Sequence, residues 1–371
     1  MYKNELAQLA AMSNKYGADP AYVLAGGGNT SFKSADRLWI KGSGTSLATI
    51  CPEDFVVMDR CELAKMWDAQ YPAEEKAREA AVLQDMMDAR VKGETRRPSV
   101  ETLLHDLFPQ QFVLHVHPAL VNGITCSIEG KTAMEHLLPE AVWVDACKPG
   151  YILALECKEK MDTYKASTGK DCRLLFLQNH GIFFAGDDTT QVDALAKQVM
   201  DTLEAAIIRQ PDMTEGEADA ASLAQVRTVL CKLYGDDQSA AAVEFTVCPE
   251  ILAYDPATKS LSPDHIVYAK AKQLQLPAHA DSDSIANAFD IFVAENGYKP
   301  KIVFVDGLGM FSCGMTAKEA LTAQVVMLDA IKVVAYAQSF GGVSPMPDFL
   351  IDFIVNWEVE SYRSKVSLSK A

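Results

Sequence analysis

Short apolar blocks separated by glycine- and serine-rich polar stretches fill the first half of this chain and predict a mixed succession of helices and strands. The opening MYKNELAQLAAMSNKYG gathers its apolar residues on one face and reads as an amphipathic helix. Residues 38–41 and 55–58 are short apolar runs, consistent with strands of an antiparallel meander. Small-residue loops occupy 24–32 and 42–46, on either side of the first run. Residues 72–91 are rich in Ala, Glu, Met and Lys with no interior Gly or Pro, and predict a helix. Pro98 and Ser99 then open another, with Ser99 as candidate N-cap, Glu101 in its first turn and His105 on the same face. The runs at 112–118 and 174–181 read as buried strands that both deliver histidines. A helix follows Pro118 to Gly123, strands lie around 141–145 and 181–186, and 190–209 forms a long amphipathic helix.

The acidic, Pro- and Gly-bearing stretch 210–217 breaks this pattern and predicts a boundary, giving a domain at 1–210, a linker at 211–221 and a second domain at 222–371. The second domain repeats part of the first. Residues 172–186 can be laid over 300–314, each followed by a long helix rich in Ala, Val and Leu, and 113–118 can be laid over 244–249. In these overlays His115, His117 and His180 become Thr246, Cys248 and Leu308. Nothing in the second half matches the Gly28-Asn29-Thr30-Ser31 stretch or Glu101. The expectation is an internal duplication whose second copy kept the scaffold and lost the metal site.

Composition narrows the choice of partners. The 371 residues, 49% hydrophobic and 23% charged, are enough for two ordinary soluble domains. A net charge of −16 argues against nucleic acid or an anionic membrane surface, because both rely on clustered Lys and Arg. A small phosphorylated substrate remains compatible, held by local backbone N–H groups. No run is read as approaching the roughly 18 apolar residues of a bilayer span, and the N-terminus lacks a signal-peptide core. Nine singly scattered cysteines without a CxxC predict reduced thiols and a cytoplasmic location.

Candidate chemistry centres on the histidines. Strand alternation puts His115 and His117 on one face, close enough to share a metal ion, and His180 offers a third ligand. Imidazole suits zinc, and a catalytic zinc takes three protein ligands with one position left open. Taken singly, each feature has a plainer explanation: two polar residues on an edge strand, an acid complementing a helix dipole at Glu101, simple connections at the glycine loops. Together, two buried strands delivering histidines favour a metal site, with Glu101 folding back toward it. The two small-residue loops, one short strand apart, would make a single anion pocket.

The motifs Gly-Gly-Asn-Thr-Ser at 27–31, Lys-Gly-Ser-Gly-Thr at 41–45, Pro-Ser-Val-Glu at 98–101, His-Val-His-Pro at 115–118 and Asn-His-Gly at 179–181 resemble, in this order, the class II (zinc-dependent) aldolase/adducin family. The resemblance spans about residues 1–210. Within the family the best likeness is to the aldolase part of bifunctional rhamnulose-phosphate aldolase/alcohol dehydrogenases. The dehydrogenase part is not expected, since no GxGxxG follows a strand.

The resemblance implies a three-layer α/β/α fold with a central, mainly antiparallel sheet. It implies one zinc held by His115, His117 and His180, with Glu101 as acid/base, and a phosphate pocket of Asn29, Ser31, Ser43, Gly44 and Ser99. The family's fuculose-phosphate aldolase carries a second serine where this chain has Val100, which removes one hydroxyl from that pocket. Related epimerases carry Asp where Glu101 stands, which favours aldol chemistry here. The expected activity is reversible cleavage of a ketose 1-phosphate to dihydroxyacetone phosphate and an aldehyde, the enediolate stabilised by the metal, in a homo-oligomer. The rival readings are a metal-dependent epimerase, dehydratase or decarboxylase of the same fold, and a non-catalytic adducin-like binding protein.

Overall fold

A computed structural model describes residues 2–235 and 241–357, which divide into two compact units. The first holds the chain up to Thr125 together with Gly130–Ala206. The second holds Cys126–Glu129 and the described residues from Ile207 to Trp357. The expected second domain also includes residues 236–240 and 358–371, which lie outside the described residues.

In chain order the first unit has helix α1 (Lys3–Gly17), strands β1 (Asn29–Lys33), β2 (Arg37–Lys41) and β3 (Phe55–Asp59), and helices α2 (Arg60–Lys65), α3 (Glu75–Asp88) and α4 (Thr102–Leu107). It continues with β4 (Phe112–Val116), α5 (Ala119–Thr125), α6 (Gly130–Leu137), β5 (Val142–Val144), α7 (Tyr151–Thr168), β6 (Leu174–Leu177), β7 (Gly181–Gly186) and α8 (Thr189–Ala206). The strands form one seven-stranded sheet in the order β3-β2-β1-β4-β7-β6-β5. Its pairs are antiparallel except β5 with β6. One face buries Val56, Val113, Leu175 and Phe183 against Val82 and Met86 of α3, Leu103 and Leu104 of α4 and Ala154 of α7. On α8, Val192, Ala196, Val199 and Leu203 recur at helical spacing and are all fully buried.

Two local expectations change. Residues 29–32, read as part of a glycine loop, instead belong to the strand β1, buried at every position and paired on both edges. Its short polar side chains find partners inside the protein, Thr30 Oγ1 with Ser13 Oγ at 2.7 Å and Ser31 Oγ with His105 Nδ1 at 2.8 Å. Two-sided pairing thus overrides the low strand propensity of Asn and Ser. Helix α4 begins at Thr102 rather than at Pro98. Residues 97–99 instead pair with the chain as it leaves β2, with Ser43 N–H on the Arg97 carbonyl (2.9 Å) and Ser99 N–H on the Lys41 carbonyl (3.2 Å).

The second unit contains α9 (Ala220–Tyr234), β8 (Ala242–Thr246), α10 (Pro249–Ala253), α11 (Pro263–Ala269), β9 (Leu274–Leu276) and α12 (Ser282–Asn296). It ends with β10 (Ile302–Val305), β11 (Gly309–Gly314), α13 (Ala317–Ala337) and α14 (Asp348–Asn356). Its sheet runs β8-β11-β10-β9, and the sense of each pairing matches that along β4-β7-β6-β5. Individual bonds recur as well. Gln178 N–H on the Val144 carbonyl has its counterpart in Asp306 N–H on the Leu276 carbonyl, both at 3.0 Å. The left-handed Asn179 (φ 56°) has its counterpart in Gly307 (φ 69°).

Register corrects one overlay. His115 pairs with Phe183, and the residue opposite the equivalent Phe311 is Phe245, not Thr246. His115 and His117 therefore fall over Phe245 and Val247, one residue earlier than the sequence alignment placed them, while His180 still falls over Leu308. The expectation about apolar runs also changes. The helix at Ala317–Phe340 is long and apolar enough to cross a membrane by composition, yet 56% of its most apolar window is buried inside the protein.

Lys33 links β1 to the end of α4. Its ammonium donates to the carbonyls of Phe108 and Gln110, both at 2.9 Å, and only 2% of the residue is exposed. Burial pushes its pKa down to about 7, against a smaller opposing pull from Asp106. Since the folded value is depressed, the unfolded chain holds this proton between pH ~7 and its ordinary value of about 10.5, where the folded chain has lost it. Wild-type stability relative to Lys33→Met is therefore expected to rise with pH across that window, by an amount on the order of a few kcal/mol. Denaturant unfolding of both proteins at pH 7 and 9.5 checks this, and a constant difference would refute it.

Candidate active site

His115 ends up beneath α4 because it shares a sheet face with Val113 and stacks on Phe183, ring centroids 4.0 Å apart at 17°. It is fully buried, and its Nδ1 donates to the Ile182 carbonyl at 2.9 Å. A carbonyl only accepts, so that proton sits on Nδ1 and the Nε2 lone pair is left facing inward. Burial lowers the His115 pKa and outweighs the opposing Glu101, which keeps the ring neutral and able to ligate.

His117 lies just past the end of β4, with its Nε2 2.9 Å from that of His115. His180 lies in the tight turn between β6 and β7 rather than on a strand. The ligating atoms of all three histidines lie within 4.8 Å of one another. Gly181 makes this closeness possible. A Cβ there would stand 2.6 Å from both His117 Cδ2 and the Val116 carbonyl.

Glu101 completes the cluster from the start of α4. Its Oε1 lies 3.2 Å from His115 Nε2 and 3.5 Å from His180 Nε2. Its Oε2 accepts from Asn29 Nδ2 at 2.5 Å, and Asn29 Oδ1 accepts from Ser99 Oγ at 3.0 Å. Ser99 Oγ also accepts from the Glu101 N–H at 3.2 Å, closing a ring of bonds about the carboxylate. Glu101 Oε1 is buried without a hydrogen-bond donor. A buried carboxylate oxygen without a donor, beside the inward-facing lone pair of His115, is costly on its own, and a cation would satisfy it. The residues fit a divalent metal ion, with His115, His117 and His180 as its donors.

The residues expected to bind phosphate separate into two groups. Ser31 is a correction: it is wholly buried behind α4, with its hydroxyl paired to His105. Asn29 and Ser99 are engaged with Glu101, as described above. Ser43 Oγ donates to the Pro98 carbonyl at 2.8 Å, leaving it, with the left-handed Gly44 (φ 77°), on a partly exposed turn. Lys41 was not singled out from the sequence. Its ammonium, on a residue 6% exposed, donates to the carbonyls of Gly28 (3.0 Å) and Gly26 (3.3 Å). It places a positive charge beneath the first glycine loop. Its position in the Lys-Gly-Ser-Gly-Thr motif was the available signal.

Residues 7–207 match the family described as Class II Aldolase and Adducin N-terminal domain. The chain is 23% identical to the uncharacterized oxidoreductase YuxG of Bacillus subtilis, across 96% of this chain but only 58% of that protein. Among solved structures, the N-terminal class II aldolase domain of a Thermoplasma acidophilum protein is 25% identical with a TM-score of 0.48, covering 55% of this chain and 94% of that one. An L-fuculose-1-phosphate aldolase from Thermus thermophilus is 19% identical with a TM-score of 0.34, covering 55% and 92%.

Replacing one donor tests the site. The wild-type chain is expected to retain about one equivalent of divalent metal after dialysis and His117→Ala to lose most of it, with little change in far-UV circular dichroism. Elemental analysis of both proteins decides it, and full metal retention by the variant would remove His117 from the ligand set.

Proposed function

Because this chain belongs to the class II aldolase and adducin family, we propose that it is a zinc-dependent aldolase, reversibly cleaving a ketose 1-phosphate into dihydroxyacetone phosphate and an aldehyde. The observation that carries this reading is Glu101, with one carboxylate oxygen fixed by Asn29 and the other turned toward the histidine cluster. Zinc bound at the histidines supplies Lewis acidity for the negative charge of the enediolate.

The chain's own groups do the rest. Cleavage leaves a carbon that must receive a proton, and condensation requires the same proton to be removed. Glu101 Oε1 is the group positioned to give and take it, since Oε2 is held by Asn29. Asn29 and Ser99 fix the carboxylate plane, so its reorientation does not compete with proton transfer. The Nδ1 bond of His115 to Ile182 holds the ligating tautomer. The phosphate falls to the glycine loop above Lys41 and to the turn at Ser43 and Gly44, away from the reacting carbons.

Glu101→Gln keeps size and shape and removes the proton carrier. It is expected to retain metal while losing about 10²–10⁴ in turnover. Solvent-deuterium exchange into dihydroxyacetone phosphate should fall in parallel. Mass spectrometry of products from a panel of ketose 1-phosphates, run alongside, identifies the aldehyde. Undiminished exchange in the variant would reassign Glu101 to a structural role, and no dihydroxyacetone phosphate from any substrate would sink the aldolase reading.

A further inference from the structure

Between α5 and α6 the chain spends residues Cys126–Glu129 in the second unit before returning to the first. There the segment is held along its backbone. Ser344 N–H donates to the Cys126 carbonyl at 2.7 Å, Ile128 N–H to the Gly342 carbonyl at 3.0 Å and Glu129 N–H to the Phe340 carbonyl at 3.0 Å. Ser127 forms an antiparallel bridge with Val343, and Cys126 Sγ reaches the Leu261 carbonyl at 3.3 Å. Cys126 and Ser127 are buried. Gly341 lets the clasping strand pass. Its φ is +84°, and a Cβ there would stand 2.7 Å from Glu129 Cγ.

The residue covalently preceding this clip, Thr125, ends α5 within the first unit. Its carbonyl accepts the Asn179 N–H at 3.1 Å. Asn179 is the residue before His180 and is left-handed (φ 56°), a conformation that costs a non-glycine residue on the order of 1 kcal/mol and persists where neighbours enforce it. The turn carrying His180 is therefore tied through one hydrogen bond to a carbonyl whose next residue is anchored in the second unit.

We propose that the second unit positions His180 for the metal by gripping residues 126–129, with Thr125 and Asn179 as the positioning residues. This rests on the reading of His115, His117 and His180 as ligands. The duplicated sheet, which has no cluster of metal-ligating side chains among its described residues, thereby acts on the site through the backbone. Release of the clip frees the Thr125 carbonyl to shift, and the Asn179 turn relaxes toward conformations that swing His180 away from His115 and His117.

The test uses the full chain. Ser344→Pro removes the donor to Cys126, and Gly341→Ala forces a left-handed alanine onto Glu129. Ser344→Ala keeps the backbone donor, and Leu230→Ala weakens the buried core of the second sheet without touching the clip. Two quantities are read: zinc affinity by competition with a chromophoric chelator, and amide hydrogen exchange at Asn179. The two clip variants should lose about 10–100-fold in zinc affinity and exchange Asn179 faster. The two controls should match wild type in both. Folded clip variants with wild-type affinity and unchanged Asn179 exchange would overturn the proposal. So would an equal loss of affinity in Leu230→Ala. If the wild-type chain binds no zinc, the ligand reading itself falls, and Asn179 exchange alone then upholds or overturns the mechanical link.

Discussion

Three imidazole nitrogens and one carboxylate oxygen meet at one point in the first unit, and the surrounding fold keeps them aimed there. Lone pairs and negative charge crowded into a buried space repel one another, so each group needs a separate anchor. His115 is held by the Ile182 carbonyl and by Phe183, Glu101 by Asn29 and Ser99, and His180 by a turn bonded to Thr125 and Val144. Withdrawing an anchor removes the support that holds its group in the cluster.

The sheet order explains where these anchors come from. β1 and β7 flank β4, so Asn29 and Phe183 both stand opposite His115. Lys33, on the same strand as Asn29, satisfies carbonyls just beyond α4, the helix whose start delivers Glu101. One strand thus fixes the helix at its far end and the carboxylate at its near end. Among the described residues the second unit repeats β4-β7-β6-β5 and has no counterpart of β1, β2 and β3, the strand that carries Asn29 included. The positions that correspond to the three histidines are the apolar Phe245, Val247 and Leu308.

The sequence by itself determined the family, the alternation of strands and helices, the three histidines and Glu101. Apolar runs ending in histidine and an acid just before a helix are local patterns, readable without knowing what packs against them. The likeness of 172–186 to 300–314 was legible for the same reason, since both segments keep the same turn between strands.

What only the tertiary structure decided was the task of each polar side chain. Asn29, Ser31 and Ser99 look alike in sequence, as small polar residues near glycine-rich or helix-starting stretches. Their roles depend on which neighbours pairing brings opposite them: Glu101 for Asn29 and Ser99, His105 for Ser31. The register of β8 on β11, one residue from the sequence overlay, was likewise undecidable from apolar runs that read equally well in either register. The grip on residues 126–129 had no sequence signal. It is made by backbone N–H and carbonyl groups, which every residue type carries, and only the folded path of the chain selects which of them meet.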